Sequence, residues 1–131
     1  MKKTITKADL VEAIRKNGVP QTKGTLIRYS INEGVSACAM GQAGINLGID
    51  PNKLESLLYE NQVIVPTQGF LHVWIEFLND DAMLTYEQIA DRVEEEAPDF
   101  SVEYVGPEFN LDKYISRYSR FFSREVDKSG G

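Results

Sequence analysis

Apolar residues recur at three- and four-residue spacing over most of this chain and alternate with polar ones in short stretches between. The first helical pattern opens at Thr6, an N-cap with Asp9 three residues on. Ile5 and Leu10 flank the cap as a hydrophobic staple, and Leu10, Val11 and Ile14 form the apolar face. Gly18 and Pro20 end it. Weak alternation predicts a strand at roughly Thr25 to Ser30, and "INEG" turns the chain. Ser36 is placed to cap a second helix that runs to about Leu47 and stops at Gly48. Ala37, Ala39, Gly41, Ala43 and Gly44 make its composition unusually small. Glycine inside a helix costs about 1 kcal/mol against alanine, so another backbone is expected to pack closely against Ala37, Gly41 and Gly44.

Asp50 followed by Pro51 marks a third helix, with Leu54, Leu57 and Leu58 on its buried face. "NQVIVP" reads as a short edge strand closed by Pro66. The segment "GFLHVWIEFLND" fits either period. As a strand it mixes His72 and Glu76 with Phe70, Trp74 and Leu78. As a helix it gathers His72, Glu76 and Asn79 on one polar stripe, and the helix is the better reading. Thr85 and Gln88 form the capping box of a fifth helix, with Leu84 and Ile89 as its staple. "FSVEYV" alternates as a strand. Asn110 then caps a sixth helix whose apolar face is Leu111, Tyr114, Ile115, Tyr118, Phe121 and Phe122. These elements predict an α+β fold, mostly helical, with five or six helices around a small two- or three-stranded sheet. Residues 1–126 are expected to form one globular domain, and 127–131 a flexible tail.

Composition narrows the function classes. A chain of 131 residues buries about two thirds of its unfolded surface on folding, so neither disulfides nor a structural metal is required. One cysteine, Cys38, and one histidine, His72, cannot build a usual zinc site. The basic start "MKKTITKADL" lacks the apolar core of a signal peptide. No apolar run approaches the ~20 residues that span a bilayer. A cytoplasmic setting is expected, with no membrane partner and no cofactor. The formal net charge of −6 disfavours non-specific nucleic-acid binding.

Four features could carry chemistry. If Ser36 caps the second helix, Cys38 lies in its first turn, where free N–H groups and the helix dipole favour a thiolate. The order Cys38, His72, then Asn79 or Asp80 suits a papain-like hydrolase, with nucleophile, base and orienting group in turn. "HVWI" resembles the "HVGI" strand of cell-wall-cleaving cysteine peptidases. It departs from them in carrying Trp74 for the glycine and "SACAMG" around the cysteine. The commoner alternative is that Cys38 is a small buried hydrophobe. The "LNDD" turn offers three side-chain acceptors but no spaced calcium loop, so its expected role is to satisfy stranded backbone groups. Finally, Lys113, Arg117, Arg120 and Arg124 form a basic stripe on the last helix. From Leu111 onward five basic residues stand against three acidic ones, a balance of +2 that leaves −8 on the rest. Such a stripe suits a partner or a nucleic acid, or it faces solvent. The acidic stretch Asp91, Glu94, Glu95, Glu96 and Asp99 is a second candidate surface.

Two motifs together are similar to those of a family of small bacterial and phage proteins. "CAMGQAGINLG" resembles their C-A-x-G-A helix. "FLNDDAMLTYEQIADRVEE" resembles their later signature, Asn-Asp, a spacer, then Ser/Thr-x-Glu-x-Ile-Ala. The likeness runs from near Gly34 to near Ala97 and picks out Cys38, Gly41, Asn79 and Asp80. It implies a cytoplasmic accessory role without an assigned reaction, and it couples Cys38 to the Asn79-Asp80 turn, whose side chains are expected to cap the cysteine-bearing helix. The function expected is therefore non-catalytic binding of another protein. A Cys38–His72 hydrolase is the first alternative, and nucleic-acid contact through the basic helix the second.

Overall fold

A computed structural model of the chain describes residues 1–16 and 18–117. The elements run β1 (Lys2–Thr6), α1 (Lys7–Arg15), β2 (Ile27–Ser30), β3 (Gly34–Ala37), α2 (Ala39–Leu47), α3 (Pro51–Glu60), β4 (Ile64–Val65), β5 (Gly69–Phe70), α4 (Leu71–Asp80), α5 (Tyr86–Glu96) and β6 (Ser101–Val105). A last helical stretch covers 111–117. The α+β class and its mostly helical character follow directly.

Caps decide where most helices begin. Thr6 and Asp9 make a reciprocal capping box for α1, as Thr85 and Gln88 do for α5. Asp50 accepts the N–H of Asn52 and Pro51 opens α3. Gly48, at φ 73°, closes α2 in the left-handed region. Asn110 accepts the Lys113 N–H, and the Phe109 and Tyr114 rings meet at 5.9 Å as the predicted staple.

The sheet content differs from one small central sheet. The strands form three separate antiparallel pairs, β1 with β6, β2 with β3, and β4 with β5. Of these, β1, β3 and β5 were not predicted. β1 is polar at its start and has a single fully buried side chain, Ile5. Its partner β6 buries only Val102 and Tyr104, so the alternation sets a face on one strand and long-range pairing supplies the other. Gly34 turns the β2–β3 hairpin at φ 78°, and Ser36 lies inside β3 instead of capping a helix.

α2 is the centre of the molecule. It packs on α1, α3 and α4, and Ala39, Met40, Gly41, Gln42, Ala43, Gly44 and Leu47 are all buried. The small residues do permit close approach. A Cβ on Gly41 would overlap the Leu26 carbonyl oxygen, and one on Gly44 would lie 2.7 Å from Pro51 Cγ. The polar side chains of α2 finish α1. Gln42 Nε2 donates to Ile14 O at 2.5 Å and Asn46 Nδ2 to Ala13 O at 2.7 Å. These bonds take up stranded carbonyls and end the helix at Arg15, short of Gly18.

α4 is a helix, but its polar stripe faces the other way from a solvated one. Asn79 is buried and His72 and Glu76 are half-buried, whereas Val73 and Phe77 are each 52% exposed. Trp74 lies beneath the Arg92 guanidinium, 5.6 Å from its ring centre. No helix among the described residues is long and apolar enough to cross a membrane.

Candidate functional site

The predicted site residues Cys38, Asn79 and Asp80 come together where α4 ends against the start of α2. Cys38 is the N-cap of α2 and not a residue of its first turn, because β3 runs up to Ala37. Its backbone N–H donates to Leu26 O at 3.3 Å. The free end of α2 is therefore capped from outside. Asn79 Oδ1 accepts the N–H of Ala39, the first helical residue, at 3.0 Å.

All of the hydrogen-bonding capacity of Asn79 is used. Its Oδ1 also accepts from Gln21 Nε2 at 2.8 Å, and its Nδ2 donates to Thr22 O and to Asp80 Oδ1, both at 2.8 Å. Asp80 Oδ1 accepts the Gly24 N–H at 3.0 Å. Gln21 continues the network, donating to Leu84 O at 2.7 Å and accepting the Tyr86 N–H at 3.1 Å. Tyr86 donates its hydroxyl hydrogen to Ala37 O at 2.6 Å, one residue before the cysteine. Four side chains thus tie segment 20–24 to α4, to α5 and to the entry of α2. Gln21 and Tyr86 carry no sequence signal for this role, since one lies in an irregular segment and the other reads as an ordinary first helical residue.

Beside this network a cavity of about 260 Å³ is lined by Gly24, Thr25, Leu26, Cys38, Glu76 and Asp80. The thiol that borders it is held protonated. Burial pushes it up from 9.0 to about 11, and the nearby Asp80 and Glu76 carboxylates add to the rise against N–H groups of Gly41 and Met40 that favour the thiolate. The direction is opposite to the one expected for a first-turn cysteine. Desolvation outweighs the helix end because the side chain is only 3% exposed.

His72 is not among the residues that line the cavity beside the thiol. Its ring packs against Tyr59 and Phe70, with centroids at 6.2 and 6.0 Å. Burial lowers its pKa despite the opposing charge of Glu76, and its Nδ1 is buried without a partner. No hydrogen bond joins Cys38 to His72, and among the described residues no group of His, Cys, Asp and Glu side chains is arranged to hold a metal ion.

Lys113 and Arg117 of the basic stripe are exposed, one turn apart, on helical stretch 111–117. Arg120 and Arg124 lie outside the described residues, as do Tyr118, Phe121, Phe122 and the tail 127–131. The acidic surface is partly neutralised from within. Arg15 meets Glu87, Asp91 and Glu94 at 3.1, 2.6 and 3.1 Å, and Arg92 pairs with Glu96. No protein-family model matches the chain, and neither a curated protein nor a solved structure shows detectable similarity to it.

Proposed function

We propose that this protein is a non-catalytic cytoplasmic accessory protein that binds another protein through the outer face of α4. The observation that carries the reading is the exposure of Val73 and Phe77, one helical turn apart on that face and each 52% open to solvent. Exposed Met83 follows just beyond the end of the same helix. A helix that turns its polar stripe inward and an apolar pair outward has a surface suited to apolar contact with a partner. The likeness of the "CAMGQAGINLG" and "FLNDDAMLTYEQIADRVEE" segments to small bacterial and phage proteins supports an accessory role. The hydrolase alternative draws no support from a thiol held near 11 and a histidine packed against the Tyr59 and Phe70 rings. Exposed Lys113 and Arg117 of the basic stripe offer a second contact.

The test is quantitative binding with the wild type and with a Val73→Asp/Phe77→Asp variant that retains its melting transition. A partner identified by cross-linking through α4 should lose about tenfold or more in affinity, the scale of a contact worth 1.4 kcal/mol. Undiminished binding by the folded variant would overturn the reading, as would hydrolytic turnover that requires Cys38.

A further inference from the structure

The outer face of α4 carries apolar and acidic side chains side by side. Glu76 and Asp80 lie three positions on from Val73 and Phe77, and Asp81 lies four on from Phe77. Residues at these spacings are neighbours on a helix surface, so carboxylates border the apolar pair on both flanks. The apolar surface continues from Val73 to Phe70, three positions before it. Phe70 meets Tyr59 of α3 with ring centroids 5.0 Å apart and stands opposite Ile64 in the β4–β5 ladder. Tyr59 and Ile64 are themselves exposed. The charge of this region has one sign. Between Lys53 and Arg92 the sequence holds seven acidic residues and no lysine or arginine. Glu87 and Asp91 are paired with Arg15. Glu76, Asp80 and Asp81 have no ion pair among the described residues. Asp80 Oδ1 accepts from Gly24 and Asn79, which leaves Oδ2 without a donor among the described residues.

We propose that the occupant of this face is a basic amphipathic segment of another protein. Its apolar side chains cover Val73 and Phe77, and its Lys or Arg side chains meet Glu76, Asp80 and Asp81. The inference rests on the outer face of α4 being the binding surface, and it names the chemistry of what binds there. Charge complementarity carries it. An apolar pair bordered by unpaired carboxylates is matched by a surface that brings apolar groups and cations together, and like charges brought against it are penalised. The net charge of −6 adds long-range attraction for a cationic segment. A second copy of this chain is the poorer occupant. Two copies joined symmetrically through α4 would present the same patch to each other and set carboxylates against carboxylates.

The probe is a synthetic helix-forming peptide of leucine and lysine, with its leucines at three- and four-residue spacing, compared with a counterpart carrying glutamate for every lysine. Titration of the full chain should show binding of the lysine peptide that weakens as salt is raised, and none of the glutamate peptide. Glu76→Gln/Asp81→Asn should weaken the lysine peptide by about threefold to tenfold, the scale of two exposed ion pairs. Glu33→Gln/Glu95→Gln, which removes the same charge from other elements, should not. Val73→Ala/Phe77→Ala leaves the charge untouched and should weaken it by about tenfold. Equal affinity for the two peptides, lost in the alanine variant, would overturn the basic preference and leave the α4 surface standing. Lysine-peptide binding indifferent to the alanine variant would overturn both. Equal weakening by the two charge variants, or no binding by the wild type, would also overturn the proposal. So would a dimer in sedimentation that Val73→Ala/Phe77→Ala dissolves, because it would assign the face to a second copy.

Discussion

The amide oxygen of Asn79, at the C-terminal end of α4, accepts the backbone N–H of Ala39 at the first position of α2. A side chain forty positions away in sequence thus does what the N-cap itself, a cysteine without a side-chain cap bond, does not. Because Asn79 is 1% exposed, its removal leaves that N–H and the Thr22 carbonyl without their partner and takes one of the two acceptors from the Gln21 amide. Asn79→Ala should cost about 1–3 kcal/mol, the penalty for unsatisfied buried polar groups, measured as a lower urea midpoint at unchanged slope. A change under ~0.5 kcal/mol, typical of surface substitutions, would place the capping energy elsewhere.

Much of the fold was legible because helix ends are written locally. Thr6 with Asp9, Asp50 with Pro51, Thr85 with Gln88, and Gly48 each specify a boundary within a few residues, and all act as their chemistry dictates. The pairing of β1 with β6 is not local. Lys2 opposes Val105, and nothing in "MKKTIT" announces a strand. Ser36 was a plausible cap, but the β2–β3 hairpin takes it into a ladder opposite Arg28. The site was legible in part. Asn79 accepts the first N–H of the helix that follows Cys38, whereas Gln21 and Tyr86 were invisible, since long-range side-chain bonds leave no periodicity.

The small residues of α2 give a second test. Gly41 sits where a methyl group would run into the backbone carbonyl of Leu26, the same carbonyl that accepts the Cys38 N–H. Backbone cannot swing aside as a flexible side chain can, so the gain in helix propensity is outweighed by the clash. Gly41→Ala should destabilise by about 1–3 kcal/mol, the usual cost of overpacking, and perturb the β2–β3 hairpin as read by amide chemical shifts. A stabilised variant would mean that the approach relaxes freely.

Cys38 should behave as a core residue. With the thiol at about 11 and almost no exposure, iodoacetamide labelling of the native protein at pH 7–8 should be far slower than that of a free cysteine, whose pKa is about 8.5. Labelling should accelerate on unfolding in urea. His72→Ala should leave the native rate unchanged, because no bond connects the two side chains. Rapid labelling with a midpoint below 8.5, moved by the histidine change, would restore a nucleophilic thiol to consideration.

His72 gives the stability of the fold a pH dependence of its own. Burial among Tyr59 and Phe70 lowers its pKa below the ordinary 6.5, with Glu76 opposing. The unfolded chain thus binds a proton at this residue more readily than the folded one. Its contribution to stability is complete above pH 6.5 and is lost as the pH falls through the lowered folded value. His72→Phe keeps a ring against the two aromatic neighbours and removes both the titration and the unpartnered Nδ1. Replacing an unsatisfied polar atom by an apolar group of similar shape is close to neutral or stabilising. Urea midpoints at pH 7.5 and 5.5 should therefore show the variant gaining on the wild type in acid. If the two proteins instead lose stability in parallel, the acid response comes from other residues and the imidazole is better solvated than its packing implies.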